Sequence, residues 1–156
     1  MATKRVGLLF VVALLVAGCG AKESTRAEPA GAARSLPGLT PEKIKQLREW
    51  SIQNASEMGD DHPEDGIILE TTQHHFYELT DGTRFGTPDF KAFVVAYRGN
   101  FTAYNAPRPY GTQAPRGHHA YVVYHADTLR SSDSGVGDFA FDPGKIGPWI
   151  PLDLEH

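Results

Sequence analysis

A single cysteine, Cys19, occurs among the 156 residues, so no intramolecular disulfide can form. Long hydrophobic runs are missing too. The longest uncharged apolar stretch, residues 6–17, gives a helix of roughly 18 Å, too short for a hydrocarbon core of about 30 Å. After residue 20 every apolar run is broken by charge, Gly or Pro within a few positions, which excludes a later spanning segment. Positive charge is not in surplus: 15 Lys and Arg stand against 19 Asp and Glu. An acidic chain is repelled by phosphate backbones and anionic headgroups, so neither nucleic acid nor a lipid surface is an expected ligand of the whole domain. No Gly-x-Ser-x-Gly elbow, phosphate-cradling glycine loop or His-Glu-x-x-His helix is present. No internal repeat or heptad pattern appears, and no cofactor is implied.

The amino-terminal residues, by contrast, are rich in signal. Lys4 and Arg5 precede the apolar run, which ends in Val16-Ala17-Gly18-Cys19. This arrangement resembles the lipobox of bacterial lipoproteins, in which small residues precede the cut and the cysteine thiol takes a diacylglyceryl group. The resemblance implies a signal peptide at residues 1–18, with Cys19 as lipid-attachment residue and first residue of the mature chain. The bilayer is then a partner through the acylated Cys19, with the protein on the extracytoplasmic face of a cell membrane. Two acyl chains, or three with an acylated amino terminus, give durable attachment where one binds only marginally. Losing Lys4 and Arg5 leaves 13 basic against 19 acidic side chains, a net charge of −6.

Residues 19–38 are Ala-, Gly-, Glu-, Ser-, Thr-, Arg- and Pro-rich, with Leu36 the one large aliphatic side chain. This composition predicts a disordered tether with a root-mean-square span of roughly 25 Å. Residues 39–156 are enough for one ordinary domain. Thr40 and Pro41 signal a helix start, Gly59 its end, and Ile44, Leu47, Trp50 or Ser51, Ala55 and Met58 follow the spacing of a buried stripe. An acidic loop, residues 60–66, comes next.

Ile67-Ile68-Leu69-Glu70-Thr71-Thr72 has the β-branched density of a strand. Residues 73–79 either extend it or form two helical turns capped by Thr72. Residues 93–102 make the strongest strand, apolar on both faces and therefore central, with Gly99 marking a bulge or close approach. Residues 120–126 predict a second strong strand beside it, antiparallel, and residues 136–141 a weaker one. The sum is an α+β fold, an N-terminal helix packed on a small antiparallel sheet. Gly99-Asn100-Phe101-Thr102, the loop containing Pro109-Tyr110-Gly111 and Ala114-Pro115-Arg116-Gly117, and the strand ending His125-Ala126-Asp127-Thr128 resemble a group of exported bacterial proteins without an assigned function. The likeness runs over about residues 66–140 and implies fold alone. It departs after Thr128, where residues 129–135 replace a short hairpin turn.

Candidate functional residues fall in three groups. His74-His75, His118-His119, His125 and His62 could serve a metal, but zinc or copper favours imidazoles two apart on a strand or four apart on a helix. A site would need one His from each pair, completed by an acid such as Glu70 or Asp127. Ser131, Ser132 and Ser134 beside Asp133 and Asp138 have ordinary loop composition. Asn54-Ala55-Ser56 and Asn100-Phe101-Thr102 match the glycosylation sequon, by chance in a chain with a bacterial export signal. The loop over residues 104–117 is the better binding candidate, with Tyr104, Arg108, Tyr110 and Arg116 among its prolines; the alternative is a stiff connection whose tyrosines cover the sheet edge. The expected role is an envelope interaction or ligand-binding module that recognises an envelope protein or small ligand. A His-based metal-handling lipoprotein is the runner-up, and a hydrolase the third reading.

Overall fold

The computed structural model describes residues 32–83, 86–139 and 142–155, so the lipobox and Cys19 lie outside the described residues. Thr40 opens the first helix, α1 (Pro41–Glu57), and its hydroxyl accepts the Lys43 N–H at 3.3 Å. At the other end the Gly59 N–H donates to Ser56 O and the Asp60 N–H to Ala55 O. This crossed pair turns the chain out of the helix and needs a left-handed residue, which Gly59 supplies at φ 88°. The fully enclosed stripe is Leu47, Ser51 and Ala55. Ser51 sits among apolar neighbours because its hydroxyl donates to Leu47 O at 2.7 Å.

The sheet contains β1 (Glu64–Thr72), β2 (Lys91–Thr102), β3 (Arg116–His125), β4 (Ser131–Gly137) and β5 (Trp149–Leu152). Their order is β4-β3-β2-β1-β5 with every pair antiparallel. The α+β architecture is therefore as the sequence indicates, with β2 at the centre and β3 beside it. Its run from Ala92 to Tyr97 is buried on both faces. One face, with Ile68, Phe93, Val95, Tyr97, Val122 and Tyr124, packs under α1. The other, with Leu69, Val94, Val123 and Trp149, is covered by Phe76 and Tyr77 of α2 (Gln73–Thr80) and Ile146 of α3 (Pro143–Ile146). Thr72 caps α2 by accepting the His75 N–H at 3.3 Å, which decides residues 73–79 in favour of helix.

Gly99 meets both expectations. The pairing of β2 with β3 shifts register between Arg98 and Phe101, and a Cβ on Gly99 would lie 2.4 Å from Asp60 Oδ2 and 2.5 Å from the Phe101 ring.

Three readings of the sequence need correction. The last part of the expected tether belongs to the domain: Leu36 is buried, and the Ala33 N–H donates to Trp149 O at 2.7 Å along the edge strand β5. The fourth strand is Ser131–Gly137 rather than residues 136–141, because the chain turns back directly after His125. His125 N–H donates to Arg130 O at 2.9 Å, and Leu129, buried at φ 55°, donates to His125 O at 2.8 Å. Pairing with aliphatic β3 thus places a Ser/Asp/Gly segment in the sheet against its local preference. Finally, β5 and α3 were not foreseen.

Trp50 does pack toward the sheet, stacking on Tyr124 at 5.7 Å between ring centroids. It flanks the enclosed stripe and is only partly buried. A fully enclosed aromatic loses about 3–5 kcal/mol on truncation, so Trp50→Ala is expected to cost about 2 kcal/mol. Urea unfolding of the full chain, followed through Trp149 fluorescence, would show an earlier midpoint. An unchanged midpoint would contradict the stacking.

Candidate functional site

The loop joining β2 to β3 is held at its base by the pairing of Thr102 with Arg116 and by the Ala103 N–H donating to Pro115 O at 2.9 Å. Arg108 Nη1 donates to Tyr104 O at 3.1 Å, fastening the outgoing limb. At the tip the Thr112 hydroxyl donates to Pro109 O at 2.8 Å around Gly111, whose φ of 83° permits the reversal. Tyr104 is 58% exposed and Tyr110 107%. Neither covers the sheet edge. Tyr104 instead leans toward the end of α1, its hydroxyl 3.6 Å from where a Gly59 Cβ would be. The structure joins Tyr104 to Arg108, sets Tyr110 at the tip, and leaves Arg116 exposed at the base.

The histidines are distributed over the fold. His74 and His75 begin α2, His118 and His119 point to opposite faces of β3, and His125 ends that strand. His118 donates its backbone N–H to Asp138 Oδ1 at 2.8 Å, and its ring Nδ1 lies 2.8 Å from the same oxygen. These two contacts, the backbone one foremost, hold the Asp138 carboxyl below its ordinary range. His119 lies beside Phe139, with ring centroids 5.7 Å apart. Among the described residues no three His, Cys, Asp or Glu side chains converge to hold a metal ion.

The serines lie on β4, facing a groove of about 710 Å³ between α1 and the sheet edge, with Trp50 and Tyr124 among its walls. The Ser132 hydroxyl donates to Val123 O at 3.2 Å, a structural bond. Asp133 faces the opposite side and accepts the Tyr77 hydroxyl. Burial first, and then that bond to a carboxylate, raise the Tyr77 pKa above its ordinary value. Among the described residues no histidine lines this groove, so none of them offers Ser131, Ser132 or Ser134 an imidazole base there.

A second pocket, of about 550 Å³, opens at the end of the sheet under the start of α1. Lys43 from the first turn of α1, Glu70 from β1, Lys91 from β2, His125 from β3 and Asp127 from the following turn meet there beside Phe90. Glu70, His125 and Asp127 are all among the metal-ligand candidates of the sequence; the register of three antiparallel strands and the turn after β3 bring them to one pocket. Lys43, Phe90 and Lys91 were not anticipated. One local signal did exist. Glu70 stands two places after buried Ile68, on the strand face that packs under α1, where a carboxylate is out of place.

No family model, curated protein or solved structure matches the chain.

Proposed function

We propose that this protein is a lipid-anchored module of the cell envelope, held to an extracytoplasmic membrane face through Cys19, that acts by binding an envelope partner through the β2–β3 loop. The observation that carries this reading is the exposure of Tyr104 and Tyr110 on a loop whose backbone is fixed by its own hydrogen bonds. A tyrosine left in water adds nothing to a core, whereas at an interface it supplies area and a hydrogen bond at small entropic cost. Arg108 and Arg116 flank these rings and suit an acidic or carbonyl-rich contact. Among the described residues no helix is long and apolar enough to cross a membrane; the proposed attachment is through acyl chains on Cys19.

The test uses the full-length lipidated protein recovered from envelope membranes. A variant carrying Arg108→Ala, Tyr110→Ala and Arg116→Ala should melt with the wild type, since exposed substitutions stay within about 0.5 kcal/mol each. It should lose the co-purifying partner, because truncating Tyr or Arg at an interface centre costs about 2 kcal/mol or more. Equal recovery of the partner with the variant would sink the reading.

A further inference from the structure

The two edges of the sheet differ in how they are guarded. β5 is short, contains Pro151, and is met by the Ala33 N–H at Trp149 O. β4 carries neither Pro nor Lys, and among the described residues β3 is its one strand neighbour. Along β3, His125 donates its N–H to Arg130 O, whereas Ala126 donates to Lys91 O, so odd residues bond toward β4 and even ones toward β2. Val122 and Ala120 are even, and their β4 partners Ser134 and Val136 therefore turn their N–H and C=O groups outward. The Ser134 N–H accordingly donates to Oδ1 of its neighbour Asp133, at 2.8 Å. Outward donors and acceptors at two-residue intervals match the backbone of another extended chain.

The groove of about 710 Å³ beside this edge narrows what that chain carries. Trp50 stacks on Tyr124, which sits opposite Ser131. One turn on, Asn54 Nδ2 donates to the Tyr97 hydroxyl at 3.2 Å, and Tyr97 is in line with Ala120 and Val136. α1 therefore runs alongside β4, and the groove has a charge at each end: Arg130 beside Trp50, and Glu57 beyond Asn54. Between them Ser131 and Ser134 are short and leave the two aromatic rings within reach of a large side chain leaning over them. A second copy pairing through its own β4 would bring only Ser131, Ser134 and Val136 to that space, too short to fill it.

We propose that the β4 edge takes up an extended peptide as a further antiparallel strand, with basic, apolar, apolar and acidic residues at alternate positions from its amino end. The basic side chain lies at the Glu57 end, the apolar ones lean over Ser134 toward Trp50 and Tyr124, and the acidic one meets Arg130. A peptide carbonyl replaces Asp133 as acceptor of the Ser134 N–H, and Asp133 keeps its bond from Tyr77 on the other face. This surface is separate from the β2–β3 loop and does not rest on its role.

The experiment titrates the full chain in detergent with the amidated probe Lys-Thr-Leu-Thr-Phe-Thr-Glu, labelled at its amino end, and reads fluorescence anisotropy and hydrogen exchange at the β4 amides. Binding should saturate and slow exchange at Ser134 and Val136. Leu and Phe share the face of Ser134, so their N–H groups point at β4, and N-methylating both should weaken binding about tenfold or more. N-methylating the threonines on either side of Leu, whose N–H groups point away, should be tolerated. Ser134→Pro removes an outward N–H without touching the β3 ladder and should weaken the probe about tenfold. Arg130→Glu should weaken it several-fold and favour the charge-reversed peptide Glu-Thr-Leu-Thr-Phe-Thr-Lys; it carries the test if Ser134→Pro fails to fold. The loop triple variant should bind the probe unchanged. Any of five results would overturn the proposal: no saturation by the probe, saturation without slowed exchange in β4, equal affinity of the wild type for the probe and its charge-reversed form, unchanged affinity after methylation of Leu and Phe, or concentration-dependent protection of Ser134 and Val136 without peptide, which would place a second copy on this edge.

Discussion

Cys19→Ser should abolish acylation of this protein. Thioether formation requires the cysteine sulfur, and with one cysteine in the chain no second thiol can substitute. The expected product is precursor or unlipidated protein. A single chain of buried methylenes, at about 0.8 kcal/mol each, already gives only marginal binding. An acidic chain, with 15 Lys and Arg against 19 Asp and Glu, is repelled by anionic headgroups when it has no acyl chain. Growing cells with radioactive palmitate and comparing the two proteins decides the matter: label on wild type and none on Cys19→Ser is the predicted pattern. Label retained on the variant would sink the assignment of Cys19 as the lipid-attachment residue, and would leave the pocket under α1 and the loop to be judged without it.

The parts of the fold that were legible in the sequence are those whose cause is local. Thr40-Pro41 and Gly59 bound α1 because capping and left-handed turns are decided within a few residues. β2 announced itself because a strand covered on both faces has to be apolar throughout. β4 and β5 escaped for the converse reason. Ser131–Gly137 is a strand because it pairs with β3, and its own composition favours a loop. Trp149–Leu152 is four residues long and contains Pro151, tolerated because β5 is an edge strand. Leu36 escaped because one aliphatic side chain in a polar stretch gives no periodicity, although it finds a place in the core.

The candidate sites divide in the same way. The loop was visible from its length and its Tyr and Arg content, properties of a continuous segment. Its exposure was not, since nothing local separates a tyrosine at a loop tip from one lying on a sheet edge. The pocket under α1 collects Lys43, Glu70, Lys91 and His125 from four elements, and their meeting depends on register: Glu70 pairs with Phe93, and Ala92 with His125. Such a site can be recognised only after the strands have been ordered.

Gly117→Ala should destabilise the domain more than any other single methyl group added near the loop. A Cβ at this position would lie 2.3 Å from the Gly137 carbonyl carbon and 2.4 Å from its Cα and oxygen. These are backbone atoms of the neighbouring strand, so no side-chain rotation relieves the overlap, and β4 has to move away from β3. Overpacking of this kind costs about 1–3 kcal/mol and occasionally more, against a total stability of about 5–15 kcal/mol. For a domain of this size the melting temperature should fall by roughly 5–15 °C. The damage should also be local, with faster hydrogen exchange at the β4 amides than at those of β1 and β2. Gly86→Ala is the matched control, since a Cβ there meets nothing within 4 Å and no left-handed φ is involved. If Gly117→Ala and Gly86→Ala melt together, β4 does not lie against Gly117, and the position of the serine-rich strand, the groove beside it and the fixed base of the Tyr/Arg loop would all have to be redrawn.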